Sequence, residues 1–244
     1  MNDPFHRTRL LIGEAGLARL ERAAVAVIGL GGVGSYAAEA VARAGVGRLL
    51  LVDADVVDAT NINRQLYALE TTRGMYKVDV AKKRIADINP RAVVDARAIF
   101  IGQSNVDILE PDFGWHVIDA IDTLAAKAAL LRYCHDNAMP CVASMGAARR
   151  RDPGRVRIAD ISRTHGCPLA KELRRMLRAS GIVRGIPCVF SDEPPAPTLD
   201  AGRGGPGTAK APVGSISYLP ALFGMTAAAV MINHILDGSR PDGA

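Results

Sequence analysis

Residues 53–65 read DADVVDATNINRQ, a stretch that combines several groups used in phosphate chemistry. Asp53 and Asp55 are carboxylates two positions apart, Asn61 is an uncharged amide, and Arg64 offers a rigid fork of donors suited to phosphate oxygens. Lys77 opens the next helical pattern and adds a point-like charge, and Asp122 closes the run WHVIDAID. Taken alone, Arg64 or Lys77 reads as a solvated cation and Asp122 as a helix cap. Taken together and in this order, they describe a site that cleaves ATP between its α- and β-phosphates. The leaving pyrophosphate calls for fixed cationic donors, and usually for a metal held by a carboxylate. Asp122 is the candidate ligand for that Mg2+.

These residues need a scaffold, and the surrounding pattern supplies one. AVAVIG (24–29) is an unbroken apolar run, GLGGVG (29–34) follows, and SYAAEAVARAGVG continues with small and apolar residues at helical spacing. Gly29 and Gly31 let the backbone turn and approach phosphate, Gly32 lies in the same cradle, and Gly34 lets the helix pack on the strand. The helix N-terminus attracts anionic oxygen. Asp53, 19 positions after Gly34, is placed to accept from a ribose hydroxyl. RLLLVD (48–53) reads as the next buried strand of a parallel sheet, and VVDARAI (93–99), WHVIDAID (115–122) and CVASMG (141–146) read as further strands.

Helices are expected over 75–88, where Val78, Ala81, Ile85 and Ile88 share a face and Asn89-Pro90 ends the run, and over 125–137. Between Asp53 and the first of these lies a polar connection, 54–74, too long for a simple turn. After Gly146 the pattern predicts a strand at 156–161, an amphipathic helix at 168–181, a short strand at 188–191 and a last helix at 216–236. Residues 194–212, rich in Pro, Gly and Ala, read as a mobile loop. The fold class is α/β: a doubly wound, mostly parallel, Rossmann-like sheet in one domain over 1–244, with a C-terminal strand–helix extension.

Charge is uneven. The chain carries a net +5, yet residues 149–184 hold eleven bases against three acids, a local excess of eight that leaves the remainder at −3. Such a segment is either a solvated arginine-rich face or a docking surface for a polyanion. The four cysteines form no Cys-x-x-Cys pair, and the N-terminus, MNDPFHRTRLL, lacks the apolar core of a signal peptide. A reducing, cytoplasmic setting fits both. ISYLPALFGMTAAAVMINHIL (216–236) is long and apolar enough to span a bilayer, but Pro220, Asn233 and His234 favour a helix buried on a sheet, so no integral membrane span is expected.

GLGGVGSYAAEAVARAGVG, LVDADVVDATNINRQ, KVDVAKKRIADINP and VIDAID resemble the motifs of the ubiquitin-activating (E1-like, ThiF-type) superfamily, whose members adenylate carboxylates. FHRTRLLIG, DISRTHGCPLAK, CVFSDE and PVGSISYLP extend the likeness to one branch, the tRNA threonylcarbamoyladenosine dehydratases, over nearly the whole chain apart from 194–212. The resemblance implies that Asp53 binds the ATP ribose, that Asn61, Arg64 and Lys77 reach the phosphates, and that Asp122 is the magnesium-linked acid, with Asp55 beside them. It also implies a homodimer in which an N-terminal arginine enters the partner's site; Arg7, within FHRT, is preferred over Arg9.

The implied substrate is N6-threonylcarbamoyladenosine at position 37 of tRNA, cyclised after adenylation of its carboxylate. Arg149, Arg150, Arg151, Arg174, Arg175 and Arg178 become candidates for the tRNA backbone, and a sulfur-transfer partner stays open. Rival readings are a nicotinamide oxidoreductase, which leaves Arg64, Lys77 and Asp122 without employment, and a non-catalytic tRNA-binding protein. The nearest rival is an E1-like enzyme that activates the C-terminus of a sulfur-carrier or ubiquitin-like protein. That reading meets an obstacle in the absent zinc-type cysteine pairs, and Cys167 and Cys188 read as structural thiols.

Overall fold

Apolar runs with no internal polar position are buried where both faces of a sheet are covered, and residues 24–28, 49–52, 141–143 and 188–190 are such runs, all buried. The strands at 93–97 and 156–160, by contrast, carry Asp95 and Arg157 and lie partly exposed at the sheet edges. The computed structural model describes residues 3–197 and 213–238. Its elements are α1 (His6–Arg22), β1 (Ala24–Ile28), α2 (Gly34–Ala44), β2 (Arg48–Val52), α3 (Lys77–Ile88), β3 (Val93–Arg97), β4 (Trp115–Asp119), α4 (Leu124–Asp136), β5 (Cys141–Ser144), β6 (Val156–Asp160), α5 (Pro168–Ala179), β7 (Pro187–Ser191) and α6 (Tyr218–Asp237). The seven strands form one sheet in the order β3-β2-β1-β4-β5-β7-β6. All neighbours are parallel except β6, which runs antiparallel to β7 at the edge.

Successive residues of β1 serve opposite layers. Ala24, Ala26 and Ile28 join the core under α4 and α5, with Leu130, Leu173 and Leu177, while Val25 and Val27 join the core under α2, α3 and α6, with Val41, Ile85 and Phe223. The chain leaves β1 towards β2 on one side and later returns to β4 on the other, so the direction of winding switches between β1 and β4. Ligands of such sheets bind at that switch, beyond the carboxyl ends of the strands.

The strands stop one to three residues before the apolar runs do. Gly29, Asp53 and Asp122 therefore fall just outside β1, β2 and β4, on connections at the carboxyl edge. The expected helix over 75–88 begins only at Lys77, because Tyr76 is extended and bridges to Val56, folding the long connection back on itself. Helix α1 has no counterpart among the expected elements: Leu10 and Leu11 are exposed, Leu17 and Leu20 are buried, and Gly13 at φ +74° breaks the run into two differently oriented pieces. Of the expected mobile loop, residues 198–212 lie outside the described residues.

Helix α6 is long and apolar enough to cross a membrane by length and composition. Its buried face, Leu219, Phe223, Ala227, Met231 and Ile235 at four-residue spacing, packs instead in the core shared with α2. Gly224 makes that approach feasible. A Cβ there would sit 2.2 Å from the carbonyl oxygen of Val33, so only glycine lets α6 rest on the start of α2.

Candidate functional site

The glycine turn is held from three strand ends. Gly29, at φ +90°, donates from its amide to the Val52 carbonyl at 2.8 Å, and a side chain there would meet the Ala120 carbonyl at 2.8 Å. A Cβ on Gly34 would fall 1.7 Å from the Gly29 carbonyl oxygen, which fixes glycine at the helix entrance. One carboxylate ties the turn to β2: Asp53 accepts from the Leu30 amide at 2.6 Å with one oxygen and from the Asp55 amide at 2.8 Å with the other.

Lys77 sits in the first turn of α3, only 4 % exposed. Its ammonium reaches Asp55 at 2.6 Å and Asp53 at 3.8 Å. The amide of Lys77 also donates to the Asp55 carbonyl, and the bridge between Val56 and Tyr76 clamps the two strands of connection together. The lysine is thus buried between two carboxylates, one of which, Asp53, also accepts from the glycine turn.

The NINRQ stretch starts with a short 3₁₀ turn, Ala59–Asn61, capped by Asp58, whose carboxylate accepts from the Thr60 amide and hydroxyl. Asn61 completes the cap by accepting from the Asp58 amide at 3.2 Å. Arg64 comes back over the glycines: its Cγ lies 3.3 Å from where a Cβ on Gly32 would be, and its Nη1 donates to the Thr60 carbonyl and the Asn63 amide oxygen. Gln65, buried, lies 3.9 Å from the same point on Gly31, and the Leu66 amide donates to Ser35 in the first turn of α2.

Asp122 is exposed on the connection from β4 to α4, with Thr123 as a long partner at 3.5 Å. That connection lies against the glycine turn, since the Ala120 amide donates to the Ile28 carbonyl and its Cβ lies 3.2 Å from the Gly34 position. Arg64 and Lys77 both follow β2, Arg64 lying over Gly32 and Lys77 reaching the turn through Asp53, while Asp122 follows β4 on the connection that lies against Gly29 and Gly34. Among the described residues no cluster of three or more His, Cys, Asp or Glu forms a metal cage. A single carboxylate at the rim suits Mg2+, which takes most of its ligands from water and substrate phosphates.

A second acid–base pair lies beneath this rim, and residue spacing alone does not single it out. Asp119 ends β4, Lys127 sits in α4, both are fully buried, and they meet at 2.6 Å. Burial pushes the Asp119 carboxyl upward, against the pull of the Lys127 charge and its hydrogen bond. The other Asp119 oxygen accepts from the Ile121 amide at 3.0 Å, so the pair fixes the turn that presents Asp122. The signal is present in VIDAIDTLAAKAAL as an acid eight positions before a lysine at a strand–helix junction, but either residue alone looks like surface.

Arg7 is not part of this assembly. It is exposed near the start of α1, and the neighbouring Phe5 packs beside Gly45 where α2 ends, at the opposite edge of the sheet. Arg9 is paired with Asp3 and Glu14.

The six arginines proposed for a polyanion separate into different roles. Arg150 is a correction: it is 4 % exposed and donates to the carbonyls of Gly146, Gly166 and Glu193, which makes it an internal clamp. Arg174 is half-buried, with its Nη1 donating to Thr164. Arg175 pairs with Glu172, and Arg178 is exposed near the far end of α5. Arg151 is exposed beside the carboxyl edge, while Arg149, at φ +59°, receives the returning chain through its amide bond to the Gly214 carbonyl. All four cysteines are buried, and burial raises the Cys188 thiol well above its ordinary value, so no exposed thiolate awaits an acyl group.

The ThiF family pattern matches residues 5–242. This chain belongs to the ThiF family. It is 45 % identical over 240 residues to the tRNA threonylcarbamoyladenosine dehydratase of Bacillus subtilis, covering 95 % of this chain and 92 % of that protein. The crystal structure of the Escherichia coli tRNA N6-threonylcarbamoyladenosine dehydratase in complex with ATP superimposes with a TM-score of 0.86 at 36 % identity, covering 96 % of this chain and 94 % of that one. By contrast, the sulfur carrier protein adenylyltransferase of Thermus thermophilus is 36 % identical over 129 residues, 51 % of this chain and 46 % of that protein.

Proposed function

We infer that this ThiF-family chain uses ATP to activate the carboxylate of N6-threonylcarbamoyladenosine at position 37 of tRNA and so closes it to a ring. The observation that carries the substrate is the extent of the likeness: it runs across both the glycine-turn half and the C-terminal half of a dehydratase, whereas the sulfur-carrier enzyme matches about half of the chain.

The chain's residues act by position and charge. Main-chain amides of residues 31–34 face the phosphates at the α2 N-terminus, and Asp53, oriented by two amides, accepts from the ribose. The threonyl carboxylate attacks the α-phosphorus and pyrophosphate leaves. Arg64 and Lys77 stabilise the charge that develops on the leaving oxygens, with Asn61 beside them. Asp122 would hold Mg2+, which would supply further neutralisation of the phosphates. The ureido nitrogen of the same side chain then attacks the acyl carbon, AMP departs, and the net loss is one water coupled to ATP cleavage. Both nucleophiles reside in one substrate, so proximity replaces any enzyme thiol.

ATP–pyrophosphate exchange, run with modified tRNA, unmodified tRNA and no tRNA, tests this reading. Stimulation by the modified tRNA alone supports it. Exchange that needs a small protein ending in two glycines, and ignores tRNA, would establish the sulfur-carrier reading instead. A homodimer in a cytoplasmic setting, with or without a sulfur-transfer partner, is the assembly we propose.

A further inference from the structure

Residues 214–220 form a strap between two regions that sequence treats separately. At one end Pro220 lies against the glycine turn, its Cβ 3.0 Å from the Cβ position of Gly32. In the middle, the Ser215 carbonyl accepts from Asn63 of the NINRQ stretch at 3.2 Å. On the other side the Gly214 carbonyl accepts from the Arg149 amide, and the Tyr218 hydroxyl donates to the Arg151 carbonyl at 2.8 Å. The strap therefore joins the phosphate end of the nucleotide site to the basic turn at 149–151.

Tyr218 occupies the middle of this arrangement with 44 % of its surface exposed. A tyrosine at the first turn of a core helix can bury its ring. This one is held outward by a hydrogen bond from its tip, so the ring face is fixed in orientation and still open. Among the exposed aromatic side chains of the described residues (Tyr76, Phe100, Phe113 and Tyr218), it alone belongs to the strap. A rigid, half-open ring between phosphate-binding groups and a basic turn is the surface on which an unstacked base lies.

We propose that Tyr218 is a specificity-determining contact, the platform on which the modified purine of the substrate stacks while its carboxylate reaches the α-phosphate. The proposal rests on the function inferred above. Hydrogen bonding to Arg151 orients the ring; the aromatic face makes the contact.

Two substitutions separate the face from the hydroxyl. Tyr218→Phe keeps the ring and deletes the bond to Arg151, whereas Tyr218→Leu keeps apolar bulk and deletes the ring face. Steady-state AMP formation with modified tRNA, alongside ATP binding measured without tRNA, reads both. Tyr218→Leu is expected to raise the KM for tRNA about ten-fold, the scale of one lost base–aromatic stack, with Tyr218→Phe, which keeps the ring face but loses the bond that orients it, raised by only about two- to three-fold and ATP affinity unchanged in both. A Phe variant as impaired as the Leu variant would make the hydroxyl staple the functional element and overturn the proposal. An unaffected Leu variant, or one that loses ATP and tRNA binding alike, would overturn it too. Failure of the underlying function looks different: the unsubstituted protein would show no exchange with modified tRNA at all.

Discussion

At the scale of single residues, charge is placed where folding alone gives no reason to put it. Lys77 is buried against Asp53 and Asp55, at the edge where we propose the phosphates lie. Replacing it with Met should lower ATP–pyrophosphate exchange by about 10²-fold, the usual effect of losing one oriented donor. The Asp119–Lys127 pair predicts a stability effect of another kind. Lys127→Met strands a buried carboxylate and should cost about 3–5 kcal/mol in urea unfolding. The double variant Asp119→Leu/Lys127→Met removes both charges and should be more stable than Lys127→Met alone; equal stability would mean the two groups are not coupled.

Elements fail in ways their contacts specify. Gly224→Ala drives a methyl group into the Val33 carbonyl, which belongs to backbone and cannot rotate aside, so about 2 kcal/mol or more should be lost and α6 should loosen from α2. Hydrogen exchange of α6 amides reads that loosening directly. The antiparallel edge is tied by Asp160. Burial opposes its charge, but hydrogen bonds from Ser162, Gly185 and Ile186 outweigh burial and hold the carboxyl below its ordinary value of 3.8. A carboxyl depressed by folding stabilises above its unfolded value, and that contribution fades as pH falls through the folded one. Asp160→Asn should therefore be less stable than the parent at neutral pH, with the gap narrowing below 3.8 in urea titrations at each pH.

At the scale of the whole molecule, Arg7 lies on the opposite edge of the sheet from the glycine turn, so any catalytic use of it belongs to a second copy. In the homodimer we propose, mixing Arg7→Ala chains with Lys77→Met chains should restore activity to at most about a quarter of the parent value, since half the dimers would be mixed and each would hold one intact site. No recovery would remove Arg7 from the partner's site. The polyanion surface needs redrawing in the same terms. Changing Arg149, Arg150 and Arg151 together would break the Arg150 clamp, so the informative variants are Arg151→Ser and Arg178→Ser. Each should weaken tRNA binding and reduce its salt dependence by about one unit of slope if it touches a phosphate. Loss at Arg151 alone would confine the tRNA to the carboxyl edge.

Sequence by itself determined the layering and the nucleotide turn. The unbroken apolar runs at 24–28 and 49–52 suit a covered parallel sheet, and GLGGVG between a strand and a helix suits a phosphate cradle, because both signals depend on neighbours in the chain. It also marked Asp53, Arg64, Lys77 and Asp122, the residues to which we assign the chemistry. What sequence left undecided depends on neighbours far along the chain. A buried pair eight residues apart, an arginine clamped by carbonyls of Gly146, Gly166 and Glu193, and a tyrosine tied to Arg151 across 67 positions look like ordinary surface residues until folding removes water from around them. Composition gave residues 149–184 one basic character; only packing separated the guanidinium groups that build the fold from those left facing solvent, since burial is a property of the assembled layers and not of any one stretch.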